Sequence, residues 1–182
     1  MKHSGYERNK NDWYIEPDWA VDVLLADESS KGFGNLKLMD PCCGSGNIPT
    51  SLKKAGFKNV VGSDIVDRAN GEYEVGHYED MLHTHRPDVV ISNPPYNEVK
   101  EFVDEALKHS SKVCVLLRLA FLEGQARRDW FKNGCLSRVI VSSRRMSMPP
   151  GGTDIKAKGG TIAYAWFIFD RDHEGPPTLA WG

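Results

Sequence analysis

Residues 36–47 have the sequence LKLMDPCCGSGN, in which a short apolar run leads into a turn with two glycines. A helix-like stretch, residues 48–55, follows directly. This order predicts a β-strand, a Gly-rich turn and a helix, the unit that binds nucleotides in doubly wound α/β folds. Gly44 and Gly46 let the backbone approach a ligand and adopt positive φ. A tight strand-to-helix connection without a ligand is the alternative interpretation.

The residues of this turn indicate a ligand that lacks phosphates. The turn has neither the lysine of a P-loop nor the full GxGxxG spacing of dinucleotide sites. Asp40 ends the predicted strand, where its carboxylate would repel a pyrophosphate and attract a cation. The ammonium group of S-adenosylmethionine is a cation that suits this position.

A second motif, Asn93-Pro94-Pro95-Tyr96, follows the apolar run of residues 88–92. The Asn93 side-chain oxygen and a main-chain carbonyl, most simply that of Pro94, can together accept both hydrogens of a planar amino group. Pro95 stiffens the turn without adding a donor, and Tyr96 offers a flat face for stacking. The motif therefore predicts a pocket for a planar amino group. An ordinary Pro-rich turn after a buried strand is the alternative.

The two motifs together resemble those of the S-adenosylmethionine-dependent amino-methyltransferases, most closely the DNA adenine methyltransferases. In that family a DPxCGSG-type sequence forms the cofactor loop, and an NPPY-type sequence forms the catalytic loop. The resemblance implies methyl transfer from S-adenosylmethionine to the N6 amino group of adenine in DNA. A duplex substrate would present that adenine rotated out of the base stack. The small size is similar to that of compact phage and prophage members.

The resemblance extends to three further segments. Residues 60–64 are similar to the second strand, whose terminal acid, here Asp64, binds the cofactor ribose. Residues 79–82 are similar to the end of the next strand, where Asp80 would accept a hydrogen bond from the amino group of the cofactor adenine. Residues 13–17 are similar to the segment that covers the methionine part of the cofactor. The alternatives are a helix N-cap for Asp64, a surface position for Asp80, and packing at the core edge for the two aromatic residues of residues 13–17.

The site that the resemblance implies has a cofactor part and a catalytic part. Its cofactor-binding residues are Trp13, Tyr14, Asp40, Cys42, Gly44, Gly46, Asn47, Asp64, Ile65 and Asp80, and its catalytic residues are Asn93, Pro94, Pro95 and Tyr96.

Apolar runs alternate with helix-like stretches along the chain, which predicts a doubly wound, mostly parallel α/β sheet. The resemblance makes this sheet seven-stranded and Rossmann-like, with residues 161–170 as an antiparallel edge strand. We expect one domain over residues 1–182, with a flexible N-terminus at about 1–12 and a frayed tail at about 173–182. The other predicted strands are residues 36–39, 60–63, 73–75, 89–92, 113–117 and 139–141, and the predicted helices are 18–26, 48–55, 99–109 and 125–133.

Positive charge is concentrated after the second motif, although the net charge of the chain is −2. Residues 112–158 hold ten Lys or Arg against three acids, which would attract a polyanion. Arg144 and Arg145 open a basic loop, residues 144–160, and are candidate phosphate contacts. Arg118 follows an apolar strand and could contact substrate or form a structural ion pair. A solvated loop with scattered charge is the alternative for residues 144–160.

Composition excludes several other classes of protein. The four cysteines show neither a disulfide framework nor metal-ligand spacing, and His83 and His85 are expected in a solvated loop. No apolar run approaches the length of a membrane span, and the N-terminus lacks the apolar core of a signal peptide. We therefore expect a cytoplasmic protein without a metal, and a monomer or weak dimer.

Other acceptors fit the same motif. N4 of cytosine, an amino group of structured RNA and the amide of a protein glutamine are all planar nitrogens. The basic loop disfavours the protein amide. A binding module without turnover is a further alternative, and the intact motif of residues 93–96 argues against it.

Overall fold

The computed structural model describes residues 13–157 and 159–182. The expected flexible N-terminus, residues 1–12, lies outside the described residues. Helices in the described ranges are too short and too polar to cross a membrane. The helices are α1 (Ala20–Leu25), α2 (Asn47–Lys54), α3 (Tyr78–His85), α4 (Val99–His109) and α5 (Arg128–Asn133). The strands are β1 (Leu38–Asp40), β2 (Val60–Asp64), β3 (Glu74–Val75), β4 (Val89–Ser92), β5 (Lys112–Arg118), β6 (Leu136–Val141), β7 (Tyr164–Asp170) and β8 (Thr178–Trp181).

The strands form one mostly parallel sheet in the order β3-β2-β1-β4-β5-β7-β6-β8. Strand β7 is antiparallel to both β5 and β6, and the remaining neighbours are parallel. The predicted doubly wound α/β architecture is therefore confirmed. Two details of the prediction are wrong, since the sheet has eight strands and its antiparallel strand lies inside the sheet.

Strand β7 lies inside the sheet because it pairs with both β5 and β6, whereas β8 is the additional strand. Strand β8 runs parallel to β6, and its end is held by hydrogen bonds from Gly182 N to Val141 O (3.0 Å) and from Ser143 N to Gly182 O (2.7 Å). The expectation of a frayed tail at about 173–182 is therefore wrong for residues 178–182. Because β8 is short and follows a Gly-Pro-Pro turn, its pairing depends on the neighbouring strand more than on its own sequence.

Helix α3 replaces the strand end that was expected at residues 79–82. His77 precedes the helix in extended conformation, and Glu79 and Asp80 occupy the first turn, where acids complement the helix dipole. His83 and His85 belong to the last turn, so the expected loop at these histidines is also wrong.

Apolar side chains cover both faces of the sheet. In β5 the buried Cys114 and Leu116 face one core cluster, whereas Val113, Val115 and Leu117 face the other. This alternation gives the continuous apolar run that a strand covered on both faces shows. Helix α4 buries residues spaced three or four apart against the second cluster, namely Val99, Phe102, Val103 and Ala106.

Strands β1, β2, β4 and β5 run in the same direction, so their carboxyl ends meet at one edge of the sheet. Asp40 and Asp64 end β1 and β2, Asn93 follows β4, and Arg118 ends β5. In open α/β sheets this edge is the usual place for a ligand. The fold therefore brings residues from distant parts of the chain to a common edge.

Candidate active site

A cavity of about 370 Å³ opens at this edge. Most of the predicted cofactor residues line it, together with two residues of the second motif. The predicted residues in its wall are Trp13, Tyr14, Asp40, Cys42, Gly44, Asn47, Asp64, Ile65, Asn93 and Pro95. Ile65 is 57% exposed and apolar, so its side chain is available to a ligand.

The Gly-rich turn has the backbone shape that its sequence predicts. Gly44 has φ +56° and Gly46 has φ +90°, both in the left-handed region. A Cβ on Gly46 would collide with the ring of Tyr73, and a Cβ on Gly44 would press on the indole of Trp13. Gly46 is the N-cap residue before α2 and is not part of the cavity wall. It therefore determines the backbone path of the turn without contacting the cavity.

Asp40 is a buried carboxyl group at the end of β1, with 1% of its surface exposed. Its Oδ1 accepts from Ser92 Oγ (2.7 Å) and from Cys42 N (3.1 Å). Burial raises the pKa of Asp40 well above its usual range, and the nearby carboxylates of Glu16 and Asp64 raise it further. A cation in the cavity would oppose both effects and favour the ionised form.

Asp64 connects the turn to β2. Its Oδ2 accepts from Gly44 N (2.8 Å), its Oδ1 accepts from Val66 N (3.1 Å), and Arg68 forms an ion pair with it. No helix begins after Asp64, so the helix N-cap alternative is wrong. The Arg68 guanidinium also lies 4.7 Å from the ring of Trp13.

The side-chain amide of Asn93 has a fixed orientation. Its Nδ2 donates to the carbonyl oxygen of Tyr14 (3.1 Å) and to Oε2 of Glu16 (2.9 Å). Since an amide nitrogen has two N–H groups, both are accounted for within the protein, and Oδ1 is left as the acceptor on the other side. Pro95 lines the cavity beside it, whereas Pro94 is buried outside the cavity wall.

Tyr96 lies behind the cavity wall in a cluster of aromatic and basic side chains. Its ring is nearly parallel to that of Tyr14 (centroids 6.2 Å apart, 15°), and its hydroxyl lies 3.9 Å from Sδ of Met148. The Arg118 guanidinium lies 5.3 Å from the Tyr96 ring centroid. No carboxylate among residues 13–157 and 159–182 forms an ion pair with Arg118. Within the described part of the chain, Arg118 therefore contacts an aromatic ring and lacks the structural ion pair that was considered.

The basic loop starts beside this cluster. Arg144 and Arg145 are exposed outside the cavity, and the Arg144 guanidinium lies 4.4 Å from the ring of Trp19. The loop is joined to residues 13–16, which line the cavity, by two backbone hydrogen bonds. Ile15 N donates to Pro149 O and Gly151 N donates to Trp13 O, both at 2.9 Å.

Asp80 stands apart from the other predicted residues. Its side chain is exposed on α3 and is not part of the cavity wall. His77 and Tyr78, at the start of the same helix, line the cavity instead. The sequence around Asp80 does not distinguish an exposed acid in the first turn of a helix from an acid that lines a cavity.

Sequence reasoning also missed Glu16 and Arg68 as site residues. Both line the cavity and hold a predicted residue in place, Asn93 and Asp64 respectively. Asn47 has a similar supporting contact, since its Nδ2 donates to Glu16 O (3.1 Å).

The four cysteines, Cys42, Cys43, Cys114 and Cys135, are free thiols. Burial raises the pKa of Cys42, Cys43 and Cys114, with Cys114 reaching about 12. Protonated thiols are poor metal ligands. Within the described ranges no group of three or more His, Cys, Asp or Glu side chains could hold a metal ion.

No protein-family profile matches the chain, and no curated protein matches it in sequence. Solved structures do share its fold. A Pyrococcus horikoshii protein described as a candidate RNA methyltransferase superposes with a TM-score of 0.68 at 17% identity, over 94% of this chain and 92% of that chain.

Two further structures give similar results. A candidate class I S-adenosylmethionine-dependent methyltransferase from Listeria monocytogenes has a TM-score of 0.59 at 18% identity, over 91% of this chain and 64% of that chain. The modification subunit of a candidate type I restriction enzyme from Vibrio vulnificus has a TM-score of 0.60 at 13% identity, over 92% of this chain and 46% of that chain. The chain therefore has the α/β fold of the class I methyltransferases.

Proposed function

We propose that this chain is an S-adenosylmethionine-dependent methyltransferase that acts on the N6 amino group of adenine in DNA. The observation that carries the proposal is the orientation of Asn93. Its amide nitrogen is bonded within the protein, and its oxygen is left to accept from an amino group at the cavity. The same cavity contains the carboxyl groups that suit a cationic nucleoside cofactor.

The cavity fits S-adenosylmethionine in charge and shape. Asp40 and Asp64 give it an acidic wall at the Gly-rich turn, which favours a ligand with ammonium and sulfonium groups. Asp64 would accept from the ribose hydroxyls, and the exposed Ile65 would contact the adenine. When bound, the cofactor supplies an electrophilic methyl group.

The chain's own contribution to the reaction is positioning. Asn93 Oδ1 and the Pro94 carbonyl would accept the two amino hydrogens and so favour a pyramidal nitrogen whose lone pair is available for attack. The amino nitrogen becomes acidic only after it begins to bond to the methyl group, so no strong base is required beforehand. No protein nucleophile is needed.

A nucleic acid substrate is supported by charge. Arg118 ends β5, and Arg144 and Arg145 follow β6. In the strand order, β5 and β6 lie on the opposite side of β4 from β1 and β2, which carry Asp40 and Asp64. A polyanion on that side would place a rotated base near Asn93 while its phosphates contact the arginines. DNA adenine is proposed because the two motifs resemble those of the DNA adenine enzymes.

A parallel assay of acceptors tests the substrate class. The chain is incubated with methyl-labelled S-adenosylmethionine and, separately, with unmethylated duplex DNA, structured RNA or bulk protein. We expect label in DNA. Label in RNA or protein would replace the proposed substrate, and the absence of label in all three would overturn methyl transfer.

Arg68 occupies an oxygen of Asp64 that the ribose would need. We expect Arg68→Gln to lower the Kd for S-adenosylmethionine by about two- to tenfold, because the competing ion pair is lost and the cavity becomes more acidic. Isothermal titration calorimetry measures this change. Lys54→Gln, a neutralised cation exposed at the end of α2, is the control. A higher Kd for Arg68→Gln would show that Arg68 helps to bind the cofactor.

The contribution of the basic loop to DNA binding is tested separately. We expect Arg144→Glu with Arg145→Glu to weaken DNA binding about tenfold or more and to flatten its dependence on salt. The reason is that the double variant makes fewer phosphate contacts, so DNA binding releases fewer counterions. Fluorescence anisotropy with duplex DNA at several salt concentrations measures both. Reversal of Lys53 and Lys54, which are exposed at the far end of α2, is the charge-matched control. Equal affinity in both double variants would exclude the loop as a contact.

A further inference from the structure

Glu16 is a buried acid that the proposed reaction does not otherwise use. Only 7% of its surface is exposed, yet its carboxylate lies in the cavity wall. It belongs to the segment before α1, 77 positions from Asn93 in the chain. A buried carboxylate is costly unless it has a partner, so its contacts indicate what it does.

The partner of Glu16 is the amide of Asn93. Glu16 Oε2 accepts from Asn93 Nδ2 at 2.9 Å, and the second N–H of that nitrogen is directed to Tyr14 O at 3.1 Å. An amide can turn over and exchange its oxygen and nitrogen, which would present donors to the amino group in place of an acceptor. The two acceptors in residues 14–16 allow only the orientation with the oxygen toward the cavity.

We propose that Glu16 is a positioning residue that fixes the Asn93 amide and strengthens its oxygen as an acceptor for the substrate amino group. This inference rests on the proposed function. A carboxylate that accepts from the amide nitrogen draws charge toward the amide oxygen, since linked hydrogen bonds polarise one another in a poorly solvated site. Glu16 thereby acts on the reaction without touching the substrate.

The segment that holds Glu16 is itself fixed at both sides. Asn47 Nδ2 donates to Glu16 O (3.1 Å), and Ile15 N donates to Pro149 O (2.9 Å). Glu16 is thus placed between the start of α2 and the basic loop. This support makes its carboxylate a rigid reference for the amide, as a preorganised site requires.

Substitution of Glu16 tests the inference through turnover. We expect Glu16→Ala to lower kcat about 10²-fold, since a mispositioned acceptor costs about that much, with little change in KM for DNA or in Kd for the cofactor. Glu16→Gln keeps an oxygen for Asn93 but loses the charge, so it should recover part of the activity. The control Asp18→Asn removes a neighbouring exposed charge and should leave kcat unchanged. A kcat for Glu16→Ala equal to that of the wild type would overturn the inference.

A second measurement does not depend on turnover. The side-chain amide of Asn93 is assigned in NMR spectra by its loss in Asn93→Ala, and its shift is compared between the wild type and Glu16→Gln. We expect a clear change, because the charged acceptor of the Asn93 amide becomes a neutral one. An unchanged shift would overturn the strengthening of the amide oxygen by the Glu16 carboxylate, even if Glu16→Ala fails to fold. A wild type without methyl transfer, combined with a responsive Asn93 amide, would remove the proposed function and keep the contact.

Discussion

Asn93→Ala should reduce methyl transfer by about 10²- to 10³-fold, the loss seen when one preorganised group that stabilises a transition state is removed. The reason is that no other side chain at the end of β4 offers an amide oxygen held in this way by Tyr14 and Glu16. The cofactor affinity should change little, because the acidic part of the cavity around Asp40 and Asp64 is left intact. Initial rates with duplex DNA and calorimetric titration of the cofactor measure the two effects.

The matched control is Asn133→Ala, which removes an exposed asparagine at the end of α5. Its rate should equal that of the wild type. An Asn93→Ala protein with normal rates would mean that the amino group is recognised elsewhere. An equal loss of rate and of cofactor affinity would indicate a damaged cavity.

The second large effect concerns Asp40. Asp40→Asn should raise the Kd for S-adenosylmethionine about tenfold or more, equivalent to about 1.4 kcal/mol, because a charge that attracts the cation is lost. The substitution keeps the side-chain shape and an oxygen for Ser92 and Cys42. Above the raised pKa of Asp40 and without cofactor, the same variant should unfold at a higher temperature than the wild type, because a buried ionised carboxyl is removed. Unchanged affinity would mean that the Gly-rich turn has another role.

The pH dependence has a definite sign. Because the pKa of Asp40 is raised in the folded protein, its contribution to stability is fully present below the unfolded pKa and is lost as pH rises through the folded pKa. Cofactor binding needs the ionised form, so affinity should fall as pH is lowered through the raised pKa. Asp40→Asn should flatten the part of both trends that Asp40 causes. The exposed Asp129→Asn is the control and should follow the wild type.

The central strands were predictable because burial on both faces leaves continuous apolar runs. Strands β1, β4 and β5 have this character, whereas β2 is apolar only at Val60 and Val61. The motif residues Asp40 and Asp64 end β1 and β2, and Asn93 follows β4. Helix α3 was not predictable in the same way, because only Tyr78 and Leu82 among its residues are buried. A weak apolar stripe gives little periodic signal.

The supporting contacts of the site depend on residues that are distant in sequence. Glu16 and Asn93 are 77 positions apart in the chain and come into contact only in the folded protein. Arg68 is close to Asp64 in the chain, yet its contact with Trp13 requires the N-terminal segment to cross the cavity. Motifs therefore predicted which groups the site contains, whereas their orientation required the tertiary structure.

The most direct test of the proposed activity locates the methyl group on a particular atom. Unmethylated duplex DNA is incubated with S-adenosylmethionine and either the wild type or Asn93→Ala, and the digested nucleosides are analysed by mass spectrometry. We expect N6-methyldeoxyadenosine with the wild type and almost none with Asn93→Ala. A methyl group on a different nucleoside, or equal N6-methyldeoxyadenosine from both proteins, would contradict amino-group recognition of adenine by Asn93.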